Sequence, residues 1–326
     1  MQFTATRRTA FALLAAAPWP RLAAAAPAID GTARIIVGAA PGGGADTVAR
    51  LLAEPLSGRY ATQVIVVNRP GASSRLAVEA VKAAVPDGTT ILLGPMPVLT
   101  LFPHVLPRTT RYDTLADFTP VTTIGELAYG FAVNADHPAH DLAGFLAWTR
   151  QRQGATFAPP VLGAPQHMLG VALARQAGVS FTLVPYRDAS QAVQDLLGGR
   201  IDCHINHMAV LAPQVRGGRL RLLAVSSEGR LPGFPKVPTF AEQGFSTLTG
   251  SEAFSVMLPA RALDPIVAAL HVAIEAVVAE PMIRERLARL EMTPMVLSPP
   301  ATAARVRTEF AAWGPVVATS GFKAEE

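Results

Sequence analysis

Short aliphatic runs alternate with longer amphipathic stretches along most of this chain, and that alternation constrains its fold more than any other feature. Residues 34–38, 63–68, 90–93, 129–134, 181–185, 201–205 and 222–226 read as strands, and 45–56, 76–84, 142–152, 167–177, 189–197 and 209–215 carry helical spacing. Strands separated by helices predict an α/β protein with a mostly parallel sheet covered by helices. Gly178 and the pair Gly198-Gly199 are suited to stop helices. Residues 232–250, rich in Pro, Gly and Phe, read as loop, and three further helices are expected over 266–279, 282–290 and 301–319. At 326 residues the chain has room for about two domains.

Half of the residues are apolar and 16% are charged, which excludes a disordered chain. The longest apolar run past the N-terminus, 266–279, carries His271 and Glu275 and falls short of the ~18–20 residues a membrane-spanning helix needs. A single cysteine, Cys203, excludes an intrachain disulfide and a multi-thiolate metal site. Residues 1–26 have the make-up of a signal peptide: Arg7 and Arg8, the apolar stretch 10–17, then the small-residue run 23–26. Thr6-Arg7-Arg8 followed by Phe11 leaves both the Sec and the twin-arginine (Tat) routes open. Loss of this leader would remove three arginines and lower the formal charge from +4 to +1, which argues against nucleic acid as a partner.

The segment Arg34-Ile-Ile-Val-Gly-Ala-Ala-Pro-Gly-Gly-Gly-Ala-Asp46 is a strand running into a glycine-rich turn that opens a helix. Such a turn lets the backbone approach a ligand, and the free N–H groups of a first helical turn attract negative charge. No Gly-Lys-Ser/Thr follows and the spacing is not G-x-G-x-x-G, so neither nucleotide fingerprint is present. A plain tight turn, with Asp46 set against the helix N-terminus, is the alternative.

Val37-Gly-Ala-Ala-Pro-Gly-Gly-Gly-Ala-Asp-Thr-Val-Ala-Arg50 resembles the opening of the periplasmic solute-binding receptors of tripartite tricarboxylate transporters, the Bug type. The likeness continues through Val67-Asn-Arg-Pro-Gly-Ala72, Asp117-Phe-Thr-Pro-Val121, Asp195-Leu-Leu-Gly-Gly-Arg-Ile-Asp202, Gly218-Arg-Leu-Arg-Leu-Leu-Ala-Val225 and Val237-Pro-Thr-Phe-Ala-Glu-Gln-Gly244. The resemblance implies a two-lobed type II periplasmic binding protein fold, with lobe one from 27–126 and 225–326, lobe two from 127–224, and a ligand cleft between them. It implies a monomeric, non-enzymatic receptor without cofactor. Such a receptor holds a small organic acid or amide-like ligand and passes it to membrane permease subunits. A sensing receptor, or less plausibly a periplasmic enzyme, is the rival reading.

The resemblance places ligand contacts at Pro41, Gly42, Gly43, Gly44 and Asp46. The matching turn of lobe two departs from the family's Ser/Gly-rich pattern: here it reads Pro159-Pro-Val-Leu-Gly-Ala-Pro-Gln-His167. Its hydroxyl donors are missing, which leaves Gly163, Ala164 and Gln166 as candidates. Arg187 keeps a cation at the end of a strand, and Asn206 and His207 fall where the family lines its cleft. Cys203, His204 and His207 do not suggest a metal site, since strand positions three apart face opposite ways.

Overall fold

A computed structural model describes residues 28–186 and 189–322; the expected leader and Arg187 lie outside these residues. The chain begins with β1 (Ile29–Val37), α1 (Gly44–Leu56), β2 (Ala61–Asn68), α2 (Arg75–Lys82) and β3 (Thr90–Pro95), followed by the single turns α3 (Pro97–Thr100) and α4 (Phe102–Val105). It crosses on the 17-residue β4 (Phe118–Asn134). Then come α5 (Leu142–Gln151), β5 (Ala155–Ala158), α6 (Pro165–Ala177), β6 (Phe181–Leu183), α7 (Ala189–Leu197), β7 (Cys203–His207), α8 (Met208–Arg216) and β8 (Leu220–Val225). It returns on β9 (Ser251–Pro259) and ends with α9 (Asp264–Ala279), α10 (Pro281–Arg289), β10 (Met292–Pro294) and α11 (Pro299–Ser320).

The strands run in the order β2-β1-β3-β9-β4-β7-β5-β6, with β8 and β10 also paired to β4. The pairs of β1 with β2 and β3, and of β5 with β6 and β7, are parallel, as the alternation predicts. The sheet as a whole is mixed, because β4 and β9 run antiparallel to their neighbours. The first part of β4 pairs with β9 and its last residues with β7 and β8, so one strand serves both lobes.

Alternation along β1 sends Ile35 and Val37 into a core shared with Leu52 of α1 and Leu270 of α9, and Ile36 into a second core with Val78 and Val81 of α2. The first-lobe sheet is therefore buried on both faces. In α9 the apolar run is explained by the same core: Leu270, Ile274 and Val277 are buried there, each worth about 1.5–3 kcal/mol over exposure. In the second lobe Cys203 and Ile205 of β7 join Phe131, Phe145 and Phe157 on one face, which sends His204 and Asn206 to the other. Phe240 and Leu248 pack into that same aromatic cluster, and Phe234 packs with Met208 and Leu222. Phe234, Phe240 and Leu248, from the segment between β8 and β9, thus pack into the second lobe's cores.

Candidate ligand cleft between the lobes

The glycine-rich turn leaves β1 and enters α1. Gly42 has φ +82°, a conformation open to glycine at little cost. Its N–H donates to Asp46 Oδ2 at 2.8 Å, and the Gly43 N–H donates to Ala40 O at 3.0 Å. Asp46 Oδ2 also accepts from Arg50 Nε at 2.9 Å, and Oδ1 accepts from Asn68 Nδ2 at 2.8 Å. The Asn68 amide also donates to Ala39 O, tying β2 to the turn. The Arg50 hydrogen bond, helped by Gly42 and Asn68 and opposed by burial, holds the Asp46 carboxyl at about 2. Asp46 therefore braces the turn from within. Two of the three glycine N–H groups expected to hold a ligand are spent inside the loop. The third, on Gly44, sits in the first turn of α1, which no side chain caps among the described residues. Pro41, Gly42 and Gly44 are exposed and Gly43 half-buried.

The second-lobe turn repeats this plan. Gly163 has φ +80°, its N–H donates to His167 Nδ1 at 3.0 Å, and the Ala164 N–H donates to Val161 O at 3.3 Å. The expected ligand donors at Gly163 and Ala164 are likewise engaged within the turn. Pro165 occupies the first position of α6, where a missing N–H costs nothing. His167 is buried, and burial lowers its imidazole to about 4, so at neutral pH it is an uncharged acceptor at Nδ1. Phe322 packs edge-on against it, with centroids 5.2 Å apart.

A cavity of about 440 Å³ lies between the lobes. Pro95, Val98, Phe102 and Glu252 line it from the first lobe, and Val161, Gln166, Val193, Asn206, His207 and Val210 are among its second-lobe walls. Of the residues expected from sequence, the structure brings Ala164, Gln166, Asn206 and His207 together here. Pro41, Gly42, Gly43, Gly44, Asp46 and Gly163 are not among its walls. The parallel register of β1 and β3 nevertheless sets the glycine-rich turn at the same sheet end as Pro95.

The polar end of the cavity is one connected group. His207 Nε2 lies 3.2 Å from Glu252 Oε2, and the Tyr129 hydroxyl donates to that same oxygen at 2.9 Å. Burial alone would raise the Glu252 carboxyl, but the charge and hydrogen bond of His207 and the Tyr129 hydroxyl outweigh it and leave it below the ordinary value. Asn206 Oδ1 accepts from the His207 backbone N–H, and Asn206 Nδ2 lies 3.0 Å from His204 Nε2. His204 Nδ1 in turn contacts Ala158 O, and burial lowers its imidazole to about 4. Sequence reasoning missed Glu252 and Tyr129 as site residues; a glutamate inside the apolar run of β9 was the available signal.

A second cavity, about 470 Å³, lies under α11 and includes Glu126, Tyr129, Arg305, Glu309 and Trp313. Three of its charged groups interact with one another: Arg305 pairs with Glu126 at 3.2 Å and with Glu309 at 2.7 Å. The first cavity, with polar groups still unpaired, is the better candidate for a solute.

Known proteins are similar to this chain over most of its length. The profile of the tripartite tricarboxylate transporter family receptors matches residues 48–322. The protein BugT of Bordetella pertussis is 32% identical over 297 residues, covering 89% of each chain. Among solved structures, the chain is similar to MatC from Rhodopseudomonas palustris with bound malate (27% identity, TM-score 0.73, 88% of this chain and 98% of that one). It is also similar to a second R. palustris protein solved with adipate (29% identity, TM-score 0.78, 89% and 97%).

Proposed function

The chain belongs to the tripartite tricarboxylate transporter family of receptors, and from that premise we propose that it captures a small carboxylate or related metabolite in the cavity between its lobes. It then delivers the solute to the membrane permease subunits of such a transporter. Export through the Sec or Tat route places the receptor in the periplasm, where it acts as a monomer. The crossings on β4 and β9 serve as the hinge about which the lobes close.

The observation that carries this reading is a cavity walled by both lobes, with polar groups gathered at one end. A ligand touching both lobes favours the closed arrangement by its differential contacts. The relatives solved with malate and adipate support a small carboxylate as the solute. Isothermal titration of the protein with mono-, di- and tricarboxylates and their amides should find a binder. Val161→Trp, at a half-exposed wall position, should fill the cavity and abolish that binding with the circular dichroism unchanged. Silence across the panel, or undiminished binding in the variant, would remove the reading.

A further inference from the structure

Resting on the receptor reading, we propose that His207 is the group that answers the solute's charge: as a carboxylate enters the interlobe cavity, His207 takes up a proton from solvent at Nδ1, so that capture is coupled to proton binding.

The geometry fixes which nitrogen is open. His207 lines the cavity, and its side chain is 22% exposed, so solvent reaches the ring. Its Nε2 lies 3.2 Å from Glu252 Oε2, and since a carboxylate only accepts, Nε2 carries the hydrogen between them. Among the described residues nothing bonds to Nδ1, which is therefore the position for a second proton. Neutral His207 beside ionised Glu252 gives this end of the cavity one negative charge, and protonation of Nδ1 cancels it. The described residues lining the cavity include no lysine and no arginine, so among them His207 is the side chain able to become a cation.

A carboxylate solute brings a second negative charge into the same space. Two carboxylates beside one imidazole favour its protonated form more than one does, and a cavity that excludes water strengthens the effect. The other groups around the ring hold their charge through neutral pH. Glu252 stays ionised, its carboxyl lying below the ordinary value, and burial drives the Tyr129 hydroxyl well above its own. His204, reached through Asn206, and His167 at the head of α6 are held at about 4 by burial and remain neutral. Glu309 of α11, paired with Arg305, acts on Glu252 and Tyr129 through its charge. Because binding takes up a proton, affinity is greater in acid and falls as pH rises.

The test titrates the whole protein with adipate by calorimetry at pH 7 in HEPES and in Tris, buffers whose heats of ionisation differ. Proton uptake makes the observed binding heats differ between the two, and the dissociation constant should rise about tenfold from pH 6.5 to pH 8.5. His207→Gln, which keeps a donor toward Glu252 but has no titrating ring, should remove both effects, and a thermal melt checks that it is folded. In NMR spectra at pH 7 the His207 ring signal, identified by its loss in this variant, should move toward its acid position when adipate is added. Equal heats in the two buffers, or a ring signal that stays in place while adipate binds, would overturn the inference and leave the receptor reading standing. Buffer dependence that survives His207→Gln would assign the proton to another group, Glu309 first among them, and overturn it as well. Failure of adipate to bind would also overturn it, and the receptor reading would then be decided by the wider carboxylate panel.

Discussion

Gly42 and Gly163 open the helices α1 and α6 in the same way. Each has φ near +80°, each donates its N–H to the side chain four residues on, and each helix runs for 13 residues. The partners differ. In the first lobe the acceptor is Asp46, whose charge is met by Arg50 and by the helix N-terminus, and the turn faces solvent. In the second it is neutral His167, and the turn is pressed against the first lobe, where a Cβ on Gly163 would come within 2.7 Å of Val105 Cγ1. One backbone design thus yields an exposed, charge-braced loop in one lobe and a buried, neutral contact between lobes in the other.

The sharpest way to break this comparison is to put alanine at both glycines. At Gly42 a Cβ meets nothing within 4 Å, so only the positive φ is penalised, about 1–2 kcal/mol. At Gly163 overpacking against Val105 and Phe322 adds about 1–3 kcal/mol. Denaturant melts should therefore rank Gly163→Ala well below Gly42→Ala, and equal losses would refute the contrast. Next in size, Asp46→Ala should cost about 2 kcal/mol, because it strands the Gly42 N–H and an Asn68 N–H inside the turn. Asp46→Asn should cost less.

Acid separates the turns by their pH windows. His167 titrates near 4 in the fold against 6.5 ordinarily, so the unfolded chain takes up its proton first and stability falls as pH drops from about 6.5 toward 4. Asp46, held at about 2 against 3.8, keeps its contribution through that window and loses it only below about 3.8. His167→Gln, which retains an acceptor but no titration, should flatten the melting-temperature profile between pH 6.5 and 4, by up to about 1.4 kcal/mol per pH unit. An unchanged slope would show that His167 is not responsible. The smallest effect on the denaturant midpoint is expected for Arg50→Ala, since the arginine is more than half exposed and Asp46 keeps its bonds to Gly42 and Asn68.

Several elements were legible before the structure. Strands β1 to β3 show as aliphatic runs, and α1 and α6 follow turn residues that announce a helix start. The first part of β4, the short β5 and all of β9 were not seen. Thr122 and Thr123 are polar yet buried in the first part of β4, so that stretch lacks the aliphatic or alternating pattern that marks β1. Of the expected site, Ala164, Gln166, Asn206 and His207 meet in one cavity, while the glycine-rich turn stands outside it.

The amino-acid sequence by itself determined the local chemistry: where glycine permits a left-handed turn, where a helix can begin, and which lineage of receptors the chain joins. Tertiary structure alone decided that Tyr129 and Glu252, 123 residues apart, would meet over one oxygen beside His207. It also decided that the N–H groups of Gly42 and Gly43 would turn inward. The reason is physical: a turn's preferences act over a few residues, whereas the partners of a buried charge come from strands brought side by side only when both lobes fold around β4 and β9.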